Sequence, residues 1–262
     1  MSTFDTLNLV RIKSYILSLL ESNKEDFFYN ELELQMFVAR GLERKLGDGY
    51  KVHLEYQLPH GWNKKFDYQY ERWGTEKPYF DIVIEDKCAK FIVIELKYKL
   101  KEIKLKRNSQ FSRFGINSPL ENFVLVSNHS AENEGRYDFW KDVKRIEALK
   151  MTFTNVLGGI AIFVTNQQNY RNNNTEYKYS NFNLSEHKSG FLYWNTDKMP
   201  IEEDTPGGEK LKDNNKKERD WGTKWKHWVR PNFKLERTYI GEWREFSGPL
   251  EEMFYCYAVT IR

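Results

Sequence analysis

Two neighbouring segments carry acidic side chains and a lysine at the spacing of strand residues. Asp81 lies in YFDIVIE, and Glu95 and Lys97 lie in FIVIELKYK. Both segments are rich in Ile and Val, and the stretch 86–90 separates them, so they predict two strands of a hairpin. Because side chains along a strand alternate between faces, Glu95 and Lys97 share one face of the predicted sheet.

The connection between these strands predicts their register. A five-residue loop over 86–90 is a common hairpin length, and it pairs Glu85 with Phe91. Counting outward places Asp81 directly across from Glu95, with Cβ atoms about 5 Å apart. Like charges at this distance are destabilising, and a divalent metal ion would compensate them because carboxylate oxygens are its natural ligands. The lysine on the same face could position a metal-bound water or offset negative charge on a phosphate.

A structural interpretation of the same residues stays open. Strands often end in charged side chains, and Glu95 and Lys97 can form a solvated surface ion pair that contributes little stability. The carboxylate of Asp81 on the paired strand makes the combination more specific than an E-x-K pair alone.

Helical segments precede the hairpin. Residues 1–26 alternate apolar and polar side chains, which predicts an amphipathic helix and not a signal peptide. Asn30 is a good N-cap for the following helix ELELQMFVARGLERKL, and Gly47 ends it. The apolar stripe of this helix consists of Leu34, Val38, Leu42 and Leu46. The segment YKVHLEYQL then predicts a strand.

Further elements follow the hairpin. Residues 122–126 predict a short strand, RYDFWKDVKRIEALK predicts a helix, and TNVLGGIAIFVTN and EMFYCYAVTIR predict strands. We expect a single domain over residues 1–262. Its parts are an N-terminal helical extension over 1–30, a core over about 30–165, a loop-rich insertion over 190–235 and a C-terminal strand region over 236–262.

Composition excludes several classes of protein. The two cysteines lie far apart and the five histidines are scattered, so neither a disulfide framework nor a structural zinc site is expected. No apolar run approaches the ~20 residues that cross a bilayer, which predicts a cytoplasmic protein without a membrane partner. The net charge of +3 neither requires nor forbids a nucleic-acid partner.

The order of acidic residues resembles the PD-(D/E)XK, or restriction-endonuclease-like, superfamily. The core of that superfamily is a helix carrying an acid, then a β-meander bearing an acid and later an E-x-K. Here the order is Glu31 in NELELQ, Asp81 in YFDIVIE and Glu95-Leu96-Lys97 in FIVIELKYK. Phe80 stands where the family has a proline before the aspartate.

The resemblance extends along most of the chain. NHSAENEGRYDFWKDVKRIEAL, GEWREFS and EMFYCYAVTI are similar to segments of an uncharacterised bacterial branch of nuclease-like proteins. Glu31 fits the position of the helical acid through its spacing to the apolar stripe, and Glu33 is the alternative. Glu55 falls on the expected first strand and can point into the same site.

The resemblance implies an α/β fold with a restriction-endonuclease-like core, in which a mixed central β-sheet is flanked by helices. It implies a metal-dependent nuclease that hydrolyses phosphodiester bonds with a Mg²⁺- or Mn²⁺-activated water, DNA being the favoured substrate. Asp81 and Glu95 would be metal ligands, joined by the backbone carbonyl of Leu96 and, directly or through water, by Glu31. Lys97 would position or deprotonate the nucleophile.

Two further consequences of the resemblance remain open. The alternative function is a catalytically inactive nucleic-acid-binding module that retains the nuclease fold. Cutting both strands of a duplex would favour a homodimer by symmetry.

Other charged and aromatic residues allow two interpretations each. The basic run over 97–107 can follow a phosphate backbone or be a solvated strand end. Gln110 stands where some superfamily nucleases carry a helical glutamine, although an ordinary surface residue is the favoured interpretation.

Three tryptophans recur at helical spacing. They could stack on nucleic-acid bases, but a buried apolar stripe of a helix is the favoured interpretation. They are Trp221, Trp225 and Trp228. Three charged residues in the later helix could reach or rim the site, although helix-surface ion pairing is the favoured interpretation. They are Asp142, Arg145 and Glu147.

Overall fold

The computed structural model of the chain describes residues 7–24, 27–58, 79–104, 124–129, 132–172, 182–184, 187–192, 233–248 and 251–262. The α-helices in these ranges are α1 (Leu9–Ser22), α2 (Glu31–Leu46) and α3 (Glu132–Thr152), and a short 3-10 helix covers Gln168–Tyr170. The strands in the first half are β1 (Tyr50–Gln57), β2 (Tyr79–Asp86), β3 (Phe91–Lys99), β4 (Ile103–Lys104) and β5 (Val124–Val126). Those in the second half are β6 (Val156–Thr165), β7 (His187–Leu192), β8 (Phe233–Ser247) and β9 (Met253–Ile261).

Seven of these strands form one sheet in the order β1-β2-β3-β6-β9-β8-β7. β3 and β6 run parallel, and the other neighbours in the sheet are antiparallel. A parallel pair needs a crossover connection, and α3 lies in the segment that joins β3 to β6. The fold is therefore mixed α/β, with a large mixed sheet flanked by helices.

The helices cover the two faces of this sheet. One apolar cluster joins α1 and α2 to alternate residues of the central strands, among them Ile82, Ile94 and Ile160. The other cluster joins α3 to the intervening residues, including Val93 and Ala161. Strands buried on both faces need the nearly continuous apolar runs that the sequence of β3 and β6 provides.

The second helix begins and ends where the sequence predicted. The side chain of Asn30 accepts a hydrogen bond from the Glu33 amide at 2.9 Å, and Gly47 follows the last turn with φ of 71°. All four residues of the predicted stripe are buried, which confirms the side of α2 that faces the sheet. In the last described α-helix, α3, the apolar positions Phe139, Val143, Ile146 and Leu149 are buried as well.

The hairpin of β2 and β3 has the predicted register over most of its length. Glu85 pairs with Phe91, and the ladder continues to the pair Ile82 and Ile94. It ends there, one position short of the predicted pair of Asp81 with Glu95.

A side-chain hydrogen bond takes the place of the main-chain pairing that is absent between Asp81 and β3. The Asp81 carboxylate accepts a hydrogen bond from the main-chain N–H of Leu96 at 2.6 Å. On the other side of β2, Glu55 of β1 has a positive φ of 48° and interrupts the pairing between Leu54 and Tyr56. Asp81 is therefore outside the regular pairing of β2 with both of its neighbours, β1 and β3.

The far edge of the sheet was not predicted in full. β9 is the predicted final strand, but β8 extends over fifteen residues and pairs with both β9 and β7. Residues 193–232, most of the segment predicted as a loop-rich insertion, lie outside the described residues. No helix in the described ranges is long and apolar enough to cross a membrane.

Candidate active site

The four side chains predicted for the site come together around the end of β3. Lys97 Nζ lies 3.3 Å from Glu31 Oε1, and the other Glu31 oxygen accepts a hydrogen bond from the Tyr98 amide at 2.8 Å. Glu31 is the first residue of α2, so the N-terminus of this helix reaches the third strand. Asp81 is attached to the same strand through the Leu96 amide.

The fallback acid, Glu33, has a different partner. Its Oε2 accepts a hydrogen bond from the Tyr29 amide at 2.9 Å, while Asn30 accepts from the Glu33 amide. These two bonds satisfy free amides at the start of the helix, as in a capping box. Glu33 therefore closes the helix end, and Glu31 is the acid beside Lys97.

Helix α3 adds two charged residues to this group. Asp142 lies 3.2 Å from Lys97 through one oxygen and 3.1 Å from Arg145 Nη1 through the other. The same Arg145 nitrogen lies 3.3 Å from Glu95 Oε1. The result is an unbroken series of alternating charges, which we call the ion chain: Glu31, Lys97, Asp142, Arg145 and Glu95.

The favoured interpretation of Asp142, Arg145 and Glu147 as helix-surface ion pairs is wrong. The side chains of Asp142 and Glu95 are each 2% exposed, and that of Arg145 is 14% exposed. A signal for Asp142 was present in the sequence, because it stands three residues after Phe139 and four before Ile146, on the apolar stripe of α3. A charge on that stripe must find a partner inside the protein.

Glu147 is buried for a structural purpose. One of its oxygens accepts hydrogen bonds from the Tyr239 hydroxyl at 2.6 Å and the Glu236 amide at 3.0 Å. Its other oxygen accepts from Lys144 at 3.0 Å. This network attaches α3 to β8 and takes no part in the ion chain.

Phe80, the residue before Asp81, contacts Arg145. Its ring lies 5.0 Å from the centre of the Arg145 guanidinium, which also donates a hydrogen bond to the Tyr79 carbonyl. An aromatic face attracts a guanidinium, so the ring helps to hold Arg145 over the sheet.

Burial sets the protonation of the two strand acids. It raises the pKa of Asp81 to about 6, against the opposing effects of Lys97 and the Leu96 N–H. Burial also raises the pKa of Glu95 well above its ordinary value, although Arg145 opposes the shift and Asp81 adds to it. Burial therefore favours the neutral, protonated form of both carboxyls, and the nearby cations favour their ionised form.

The pKa values of Asp142 and Lys97 shift in the directions that favour their charged forms. Burial alone would raise the pKa of Asp142, but Lys97 and Arg145 together lower it. Burial alone would lower the pKa of Lys97, but Asp142 and Glu31 raise it well above its ordinary value. Lys97 is an ammonium at neutral pH, which favours positioning and charge stabilisation over deprotonation of a nucleophile.

The donor set fits a hard divalent cation in chemistry and in charge. The site holds four carboxyl groups and two cationic side chains, so one divalent cation would balance the charge when all four carboxyls are ionised. Two buried oxygens, Glu95 Oε1 and Asp142 Oδ2, have no hydrogen-bond partner and meet their cations only as ion pairs. No group of three acidic, His or Cys side chains converges as a ligand set within the described ranges. Mg²⁺ commonly uses one or two carboxylates and completes its shell with water, so the carboxyls of Asp81 and Glu95 are donors of the type that this ion takes.

Gln35 is a neighbour of the site that the sequence did not predict. Its Nε2 donates to the Asp81 carbonyl at 2.5 Å and to Glu55 Oε1 at 2.9 Å. Glu55 is thereby directed toward α2, and its carboxylate takes no part in the ion chain. Gln35 is buried on a helix face otherwise lined by apolar residues, which is the signal that could have identified it.

Several sequence predictions fall partly or wholly outside the described residues. Of the basic run, residues 97–104 are described, and Lys104 pairs with Glu102 at 2.8 Å. The rest of that run, Gln110 and the three spaced tryptophans lie outside the described ranges.

Comparisons of the chain with protein-family models, with curated proteins and with solved structures give no match. The resemblance to PD-(D/E)XK nucleases therefore stays an expectation carried by Glu31, Asp81 and Glu95-Leu96-Lys97. What the chain does must be inferred from the geometry of its own residues.

Proposed function

We propose that this protein is a metal-dependent nuclease that hydrolyses phosphodiester bonds, with DNA as the favoured substrate and Mg²⁺ or Mn²⁺ as the cofactor. One observation carries the proposal. Asp81 and Glu95 lie on adjacent strands, both with a raised pKa, in a group of four carboxyl groups and two cationic side chains. Buried acids whose pKa values are raised, with a lysine beside them, are typical of a functional site.

The order of the elements supports the same proposal. A helix with Glu31 at its start precedes three antiparallel strands, of which the second carries Asp81 and the third carries Glu95 and Lys97. This is the order that the resemblance to the restriction-endonuclease-like core implies.

The residues of the site would share the work of hydrolysis. Asp81 and Glu95 would hold the metal ion, with the Leu96 carbonyl as a further ligand and Glu31 in contact directly or through water. When bound, the ion would supply a Lewis acid that activates water and polarises the phosphate.

Lys97 would act as a fixed positive charge. Glu31 and Asp142 hold its ammonium from two sides, at 3.3 and 3.2 Å. From this position it can donate a hydrogen bond to the attacking water or to a phosphate oxygen, and so stabilise charge that develops during the reaction.

The direct test compares wild type with Glu95→Gln, a substitution that keeps the shape of the side chain and removes its charge. Plasmid and single-stranded DNA would be incubated with Mg²⁺, with Mn²⁺ and with EDTA. The matched control is Glu85→Gln, because Glu85 lies on the strand of Asp81 and pairs with His53 outside the ion chain. We expect cleavage by wild type and Glu85→Gln with either metal and at least about a 100-fold loss in Glu95→Gln.

The inactive binding module is the second candidate, and the pair of Arg145 with Glu95 favours it. Arg145 already supplies a positive charge to the carboxyl that would bind the metal. In that case DNA binding would be equal in wild type and Glu95→Gln, would not need a divalent ion, and no cleavage would be seen.

A further inference from the structure

Asp142 occupies the centre of the ion chain. Its two oxygens contact two different cations, Lys97 at 3.2 Å and Arg145 at 3.1 Å. Lys97 belongs to β3 and Arg145 to α3, so this one carboxylate links the two positive charges of the site across the helix–sheet contact. No other described residue contacts both cations in an ion pair.

The burial of Asp142 has a free-energy cost that stability of the fold alone does not explain. A buried carboxylate is costly to desolvate, and a salt bridge repays that cost only when its geometry is good. One Asp142 oxygen has no hydrogen bond although an ammonium is near. An apolar residue on the stripe of α3 would pack there at a lower cost.

We propose that Asp142 is a positioning residue of the active site, which holds Lys97 in place for the scissile phosphate and shares the Arg145 guanidinium with Glu95. The proposal rests on the proposed nuclease function and extends it to helix α3. By sharing the guanidinium, Asp142 weakens the hold of Arg145 on Glu95 and leaves that carboxylate available to a divalent ion.

Loss of the Asp142 charge should therefore have two effects. Lys97 keeps only Glu31 as its close ion-pair partner and shifts toward it, and misplacement by about 1 Å can cost about 100-fold in rate. Arg145 would then pair with Glu95 without competition from Asp142, so the affinity for a metal ion should fall about 10-fold, the lower end of the effect of removing a residue that supports metal ligands.

The test uses the full chain with three substitutions. Asp142→Asn removes the charge, and Asp142→Glu restores it on a longer side chain. Glu147→Gln is the matched control, because Glu147 is also a buried carboxylate of α3 but bonds to Tyr239 and β8. For each protein we would measure the Mn²⁺ Kd by calorimetry, kcat and KM for DNA, and the Tm.

The expected result is a loss of about 100-fold in kcat for Asp142→Asn with KM changed less than about threefold. Its Mn²⁺ Kd should rise about 10-fold, and Asp142→Glu should recover most of this affinity. Glu147→Gln should lower the Tm while kcat and Kd stay within about twofold of wild type.

Two results would overturn the proposal. One is a wild-type kcat and Mn²⁺ Kd in Asp142→Asn; the other is an equal loss in Glu147→Gln, which would make the effect one of stability. Absence of cleavage by wild type would instead overturn the nuclease function. The Mn²⁺ Kd of Asp142→Asn would still decide the role of Asp142 at the site.

Discussion

Arg145 of α3 lies 3.3 Å from Glu95 of β3, so that a guanidinium compensates the carboxyl that the sequence predicts to bind a metal ion. The two residues lie on elements that are brought together only by packing of the helix on the sheet. A cation of the protein and a divalent metal ion would therefore compete for the same carboxylate. This competition gives predictions about metal affinity that differ in sign from those of a purely structural ion pair.

Removal of Arg145 should strengthen metal binding. Arg145→Gln deletes a positive charge next to Glu95, so a metal ion no longer has to compete with it for this carboxylate. The interaction of the two charges is worth about 1–2 kcal/mol, and we therefore expect the Mn²⁺ Kd to fall about 10-fold. The same substitution should lower the Tm without metal, because Glu95 remains buried and loses its partner.

Calorimetric titration with Mn²⁺ checks this prediction. Arg171→Gln is the control, because Arg171 pairs with Glu245 at the surface. Weaker Mn²⁺ binding by Arg145→Gln than by Arg171→Gln would show that Arg145 supports the site and does not compete for it.

Stability should depend on the protonation of Asp81. Its pKa is about 6 in the folded protein against an ordinary 3.8, so protonation favours the folded state. The stabilisation is fully present below about pH 4 and is lost as the pH rises through 6, and it amounts to at most about 3 kcal/mol. Asp81→Asn cannot lose a proton and should not show this decrease.

Urea unfolding in EDTA between pH 4 and 7 measures the difference. The unfolding free energy of wild type should fall relative to that of Asp81→Asn as the pH rises, with most of the change near pH 6. Parallel pH profiles for the two proteins would mean that the pKa of Asp81 is not raised in the folded protein.

The close approach of α3 to the sheet depends on Gly159 of β6. A Cβ atom at this position would lie 2.5 Å from the Val93 carbonyl oxygen and 2.6 Å from Ile146 Cγ2. Gly159→Ala should therefore push α3 outward and cost about 1–3 kcal/mol of stability. Since α3 carries Asp142 and Arg145, activity should fall even where the protein remains folded.

Thermal unfolding and DNA cleavage measured on the same sample test the two effects together. Gly49→Ala is the matched control, because the nearest atom to its added Cβ is Lys87 Cε at 3.8 Å. A Gly159→Ala protein with unchanged Tm and activity would show that the helix has room to adjust.

The sequence predicted those parts of the site that depend on local spacing. The loop over 86–90 determines the pairing of Glu85 with Phe91, and the alternation of β3 determines which residues face α3. Asn30 determines the start of α2. Such features depend only on residues that are close together in the sequence, so the sequence is enough to predict them.

The parts that could not be predicted depend on contacts between distant segments. The ladder stops before Asp81 because its carboxylate takes the Leu96 amide, and no spacing rule anticipates a side chain in place of a main-chain partner. Asp142 and Arg145 were assigned to the surface because charges on helices usually pair with each other there. Their burial against Glu95 follows from the packing of α3 across the parallel strands β3 and β6.

The most direct test of the nuclease proposal is metal-dependent cleavage of plasmid DNA by wild type and by Glu95→Gln, with Glu85→Gln as the folded control. We expect cutting with Mg²⁺ or Mn²⁺ by wild type and Glu85→Gln, none in EDTA, and a loss of at least about 100-fold in Glu95→Gln. Cutting by Glu95→Gln at the wild-type rate, or no cutting by a folded wild-type protein that binds DNA equally well without metal, would contradict it.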